Sequence, residues 1–145
     1  MKSALAAHCA IRGNKFMAIG AAGGGFRELT GRELGLVKQL TQPDFIGAAQ
    51  LREQLEACEA RTVDPEGSFE LRVKNKAPAR VFYRVPVELQ ARDRDGTPIH
   101  VLLHVIDGIA KQIEVYKDAP TPIAAWPSHW DVLVSGPQKK ARATP

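Results

Sequence analysis

Apolar and polar side chains alternate almost without a break from residue 81 to residue 117. Val81, Tyr83, Val85, Val87, Leu89 and Ala91 alternate with Phe82, Arg84, Pro86, Glu88, Gln90 and Arg92. Ile99, Val101, Leu103 and Val105 alternate with His100, Leu102 and His104. Ile109, Ile113 and Val115 alternate with Ala110, Gln112 and Glu114. A period of two marks strands with one buried face. Asp95-Gly96 and Asp107-Gly108 separate the three runs, so a three-stranded antiparallel meander is predicted.

Side-chain parity selects the turns. A two-residue turn at Asp107-Gly108 pairs Ile106 with Ile109, which would set His104 beside Lys111 and His100 beside Val115. A three-residue turn, Ile106-Asp107-Gly108, pairs Val105 with Ile109, Leu103 with Lys111, Val101 with Ile113 and Ile99 with Val115. That gathers the apolar residues on one face, because a one-residue slip flips every side chain. The same reasoning at Arg94-Asp95-Gly96 pairs Leu89 with Val101 and Val87 with Leu103. Three-residue turns are expected at both corners.

Upstream the period changes to helical. Leu29-Thr30-Gly31-Arg32-Glu33-Leu34 carries a capping box on Thr30 and Glu33, with Leu29 and Leu34 placed as a hydrophobic staple. Leu34, Val37 and Leu40 share a face, and Pro43 ends the helix. Asp44 is placed to cap a second helix, roughly 45–60, on which Ala48, Leu51, Leu55 and Cys58 form one stripe. Ala60–Asp64 and Ser68–Val73 read as strands around Pro65-Glu66-Gly67. Asp131–Val134 reads as a last strand, with Trp126 and Trp130 closing the core. The fold expected is α+β: two N-terminal helices packed on one face of an antiparallel sheet of four to six strands that contains the meander.

The chain has 145 residues, 44% hydrophobic and 25% charged, which suits one ordinary domain. The pI near 9.3 invites a nucleic-acid reading, but the charge lies at the ends. Lys2, Arg12 and Lys15 precede residue 26, Lys139, Lys140 and Arg142 follow residue 135, and neither end carries an acid. Between them 14 basic and 16 acidic residues leave a net charge of −2. Nucleic acid is therefore not the expected partner. The expected organisation is a flexible leader over 1–25, a domain over 26–135 and a disordered basic tail over 136–145. Met17 is a second candidate start. His8 and Cys9 break the apolar stretch Ala4–Ile11, which argues against a secretory signal. No run reaches the ~18 apolar residues of a membrane span. Cys9 and Cys58 read as free thiols of a cytoplasmic protein.

Candidate chemistry is sparse. The expected register lays Gln90, His100 and Glu114 side by side on the polar face, with His104 on the same strand. A histidine beside a carboxylate is the pattern of a general base, so His100 and Glu114 are the candidate catalytic residues. The competing reading is a half-polar sheet face with cross-strand pairs. His100 and His104 stand about 13 Å apart on one strand, too far to share a metal ion, so no metal and no cofactor are expected. None of Ser3, Ser68, Ser128 and Ser135 lies in a nucleophile elbow. Gly20–Gly25 lacks the ending of a phosphate loop. Trp126 and Trp130, with Gln90 and His104, are the candidate binding residues.

Arg27-Glu28-Leu29-Thr30, Leu51-Arg52-Glu53-Gln54-Leu55 and above all the run Gly96-Thr97-Pro98-Ile99-His100-Val101-Leu102-Leu103-His104-Val105-Ile106-Asp107-Gly108 resemble an uncharacterised family of short bacterial proteins, one of the domains of unknown function. Glu114-Val115-Tyr116 and Pro122-Ile123 also fit. The resemblance covers most of 26–134 and implies a bacterial cytoplasmic α+β domain. It implies no activity and transfers no catalytic residue. The function expected is that of a non-catalytic interaction protein with a protein partner or a second copy of itself, of the toxin-neutralising kind. A small hydrolase using His100 and Glu114, or a small-molecule-binding domain near Trp126, is the alternative.

Overall fold

The computed structural model describes residues 24–136. The expected leader and basic tail lie almost wholly outside them. Helices α1 (Gly31–Thr41) and α2 (Ala48–Glu56) precede six strands: β1 (Cys58–Thr62), β2 (Phe69–Val73), β3 (Val87–Arg92), β4 (Pro98–Ile106), β5 (Ile109–Lys117) and β6 (Asp131–Val134). They form one sheet in the order β1-β2-β5-β4-β3-β6, with every neighbouring pair antiparallel. The α+β architecture is the one that the change of period requires.

Thr30 caps α1 as its sequence dictates: its hydroxyl accepts from Glu33 N, and the Glu33 carboxylate accepts from Thr30 N. Leu36, Val37 and Leu40 turn into the core, whereas Leu34, expected on that face, is 54% exposed and Leu36 takes its place. Asp44 does not cap α2. The N-cap is Gly47, held at φ 95° with Val81 and Arg80 packed where a Cβ would stand. Cys58 is not the last residue of the helical stripe. It opens β1, half-buried against the core, because α2 ends two residues earlier at Glu56.

The first corner of the meander is the one that parity selects. Asp93 N donates to Thr97 O, which closes a three-residue turn with Gly96 left-handed, and Leu89 pairs with Val101. The second corner differs. Ile106 pairs with Ile109 across a two-residue turn in which Asp107 (φ 54°) and Gly108 (φ 78°) are both left-handed. The parity error is cancelled one step later: Val105 faces Ala110, His104 faces Gln112, and Lys111 is the extra residue of a bulge. Leu103 then meets Ile113 and Val101 meets Val115. The common apolar face survives, but the register is shifted by two residues from the expected one.

Val81–Pro86 alternates like a strand and is not one. Pro86 has no N–H to give a ladder, and one backbone bond, Val105 N to Arg84 O, ties this segment to β4. Phe82 and Tyr83 are left exposed.

Three buried polar residues, Gln54, Asp93 and Lys117, fix the loops. Gln54 of α2 is fully buried; its amide nitrogen donates to Ala77 O and Gly108 O, and its oxygen accepts from Ala110 N, each at 2.9 Å. Ala79 N also donates to Gly108 O, and Pro78 and Ala79 pack so closely that no Cβ fits at Gly108. At the opposite end of the sheet, Lys117 Nζ lies 2.8 Å from Asp93 Oδ2 and 3.1 Å from Pro122 O, and Asp93 also accepts from Ala124 N and Ala125 N. Lys117 holds the Asp93 carboxyl well below the usual carboxylate range. This buried pair anchors the segment after β5 at Pro122, Ala124 and Ala125, and Trp130 beyond it joins the core.

Replacing Gln54 with leucine takes a partner from one donor and two acceptors. Gln54→Leu is expected to cost about 3 kcal/mol, roughly one for each lost bond. Urea titration of the variant checks this, and a loss below about 1 kcal/mol would show that the turn does not depend on it.

Candidate functional site

The period of two that buries Leu89, Val101 and Val115 sends Glu88, Gln90, His100, His104, Gln112, Glu114 and Tyr116 to the opposite face. His100 stands at its centre, between Gln90 on β3 and Tyr116 on β5. Its ring stacks on Tyr116, with centroids 4.7 Å apart and planes 17° from parallel. Nδ1 lies 3.0 Å from Glu88 Oε2 and Nε2 lies 2.9 Å from Asp118 Oδ2. Gln90 Nε2 donates to the same Glu88 oxygen. Burial by itself pushes the His100 pKa down, but the carboxylates of Asp118 and Glu88 outweigh it and the net shift is upward. With an acceptor on each nitrogen, the favoured species is the imidazolium, donating twice.

His104 is held differently. Nε2 lies 2.9 Å from Glu114 Oε1, and Arg84 Nε donates to Nδ1 at 3.3 Å. Arginine has no lone pair to offer, so Nδ1 must accept and Nε2 must carry the proton. The bond to Arg84 therefore selects the tautomer.

The expected pairing of His100 with Glu114 is not formed. The bulge at Lys111 moves Glu114 opposite Leu102, within reach of His104, and brings Tyr116 opposite His100. Gln90 lies opposite His100 as expected, but it bonds Glu88. Glu88 was legible only as a polar-face residue. Asp118 lies just beyond β5, outside the alternation, and nothing in the pattern singles it out.

A general base needs a free lone pair directed at substrate. His100 has none, and that of His104 is spent on Arg84. Among the described residues no group of three or more His, Cys, Asp or Glu side chains could hold a metal ion. Cys58 is a free thiol whose pKa is pushed up to about 11, by burial first and then by Glu33 and Glu59, so it is a poor nucleophile. Trp130 is buried, and half-buried Trp126 meets it edge to face at 5.4 Å under the Arg32 guanidinium. These two rings close the core over α1. His129 and Asp131 are both exposed, 3.4 Å apart.

Against known families, one described as a domain of unknown function, DUF6984, matches residues 26–127. The chain belongs to this family. The DUF6984 span takes in both helices, β1 to β5, the two histidines and Trp126, and stops short of Trp130 and β6. No curated protein and no solved structure matches the chain. No helix among the described residues is long and apolar enough to cross a membrane.

The raised pKa of His100 has a signed consequence. Against an unfolded value of about 6.5, its stabilising effect is complete below about pH 6.5 and is lost as the pH rises through the folded value. His100→Gln is expected to flatten the stability–pH curve above that point. Denaturant titrations of both chains across neutral pH check this; parallel curves would show that the two carboxylates do not hold the ring.

Proposed function

We propose that this DUF6984 protein is a non-catalytic binding protein whose partner, another protein, seats on the sheet face away from the helices. The observation that carries the reading is that every ring nitrogen of His100 and His104 is engaged by a fixed neighbour. Such a network holds a surface in one shape and engages the ring nitrogens with fixed neighbours of this chain. A pre-shaped polar surface suits recognition, since little ordering is needed on contact. Phe82, 73% exposed, and Tyr83 stand beside Arg84 and supply the aromatic anchor that protein interfaces concentrate.

A toxin-neutralising protein works in this way, by occupying another chain, and we assign the protein to that kind. The bacterial origin implied by the sequence resemblance and a cytoplasmic location belong to the same reading.

The test is reconstitution of the complex from this chain and a partner co-purified from its native cells. Phe82→Ala is expected to weaken it by about tenfold or more, and His100→Gln, which releases Glu88 and Asp118, to weaken it by a smaller factor. Loss of a substrate-converting activity in His100→Gln, with the melting temperature unchanged, would instead make the protein an enzyme.

A further inference from the structure

The bulge at Lys111 does more than restore parity. It turns the start of β5 away from β2, so that the two strands pair only at Phe69↔Ile113 and Glu70↔Gln112. Beyond these pairs Leu71–Val73 and Ile109–Lys111 diverge around a groove of about 470 Å³, within the usual range of ligand sites. On its α2 side Gln54 satisfies Ala110 N, which has no partner on β2. The groove is therefore a gap between two strands of one sheet, and it opens beside the polar face.

Its charge is one-sided. Arg72, Lys76, Arg84 and Lys111 line it, with Glu70 as its one acid. Glu70 is neutralised by Arg61 and Arg72 by Glu59. Arg84 gives its Nε to His104, a neutral partner, and Lys76 and Lys111 have no hydrogen bond or ion pair among the described residues. Uncompensated positive charge is left over a partly apolar floor of Leu71, Ile106 and Ile109.

We propose that this groove binds an extended acidic segment of the partner protein, lying between β2 and β5 with its carboxylates on Lys76, Lys111 and Arg84. Flanking strands offer an extended chain a seat of matching shape, and the cations give it its sign. This chain's own ends are excluded by charge, since both carry only basic residues. A long polyanion such as a nucleic acid fits worse, because beyond the groove it would run onto Glu88, Glu114 and Asp118. The inference rests on the binding-protein reading and names the partner's chemistry.

The probe is a short fluorescein-labelled peptide of alternating glutamate and valine, read by anisotropy with the full chain. Binding is expected to fall with added salt and to weaken at least about tenfold in Lys76→Glu/Lys111→Glu. Amide shift changes should be confined to residues 70–76, 82–86 and 106–112. Both lysines are exposed, and an unchanged melting temperature verifies the fold of the variant. Absence of peptide binding, equal binding by the double variant, or tighter binding of a single-stranded oligonucleotide would overturn the proposal. A reconstituted partner complex indifferent to the two reversals would overturn the groove and leave the binding-protein reading standing. Peptide binding at the groove with no stable partner complex would be the failure of that reading alone.

Discussion

One extra residue in β5 sets the geometry of both faces of the sheet. The turn at Asp107-Gly108 is as short as a hairpin allows, and it is out of phase with the apolar pattern on either side of it. Without correction, Ile113 and Val115 would face solvent while Gln112 and Glu114 faced the helices. The bulge at Lys111 absorbs the mismatch, and the remainder of β5 pairs in phase with β4. Three consequences share this cause: a continuous apolar face under the helices, the alignment of His100 with Tyr116 and of His104 with Glu114, and the divergence of β5 from β2.

The fold stabilises this arrangement from outside the hairpin. Gln54 and Ala79 converge on Gly108 O, so the turn is clasped by α2 and by the loop after β2. A three-residue turn would displace the carbonyl to which both donate. At the far end of the meander the buried Lys117–Asp93 pair does the corresponding work by anchoring Pro122, Ala124 and Ala125 on the way to Trp130 and β6. A buried ion pair is a poor source of net stability. Here it specifies a path, because Asp93 also takes the backbone N–H groups of Ala124 and Ala125.

The sequence was most legible where one rule acted alone. Thr30 and Glu33 form their capping box because it needs nothing beyond local spacing. Arg94-Asp95-Gly96 turns as parity demands, and the contacts that reach it, Lys117 Nζ to Asp95 Oδ2 and Arg92 Nη1 to Gly96 O, fit the turn that parity selects. Errors arose where two rules competed. Asp107-Gly108 satisfies the strongest two-residue hairpin signal, and parity overrules that signal only if a bulge within the strand is left out of account. The bulge depends on Gln54, more than fifty positions away in sequence. Cys58 fitted the helical stripe, but β1 claimed it for the sheet. Pro86 cut short a run that alternation alone would extend to Val81. The histidines were found by their place on the polar face, whereas the partners of His100 were not. Asp118 belongs to no periodic element, and the choice between Glu88 and Glu114 turned on the bulge.

The register of β4 against β5 is where these claims meet, and proton NMR reads it directly. The two-residue turn with a bulge at Lys111 predicts close Hα–Hα contacts between Leu103 and Ile113 and between Val101 and Val115. Contacts of Leu103 with Lys111 and of Val101 with Ile113 would mean a three-residue turn and no bulge. They would contradict at once the histidine environments, the role of Gln54 and the origin of the groove.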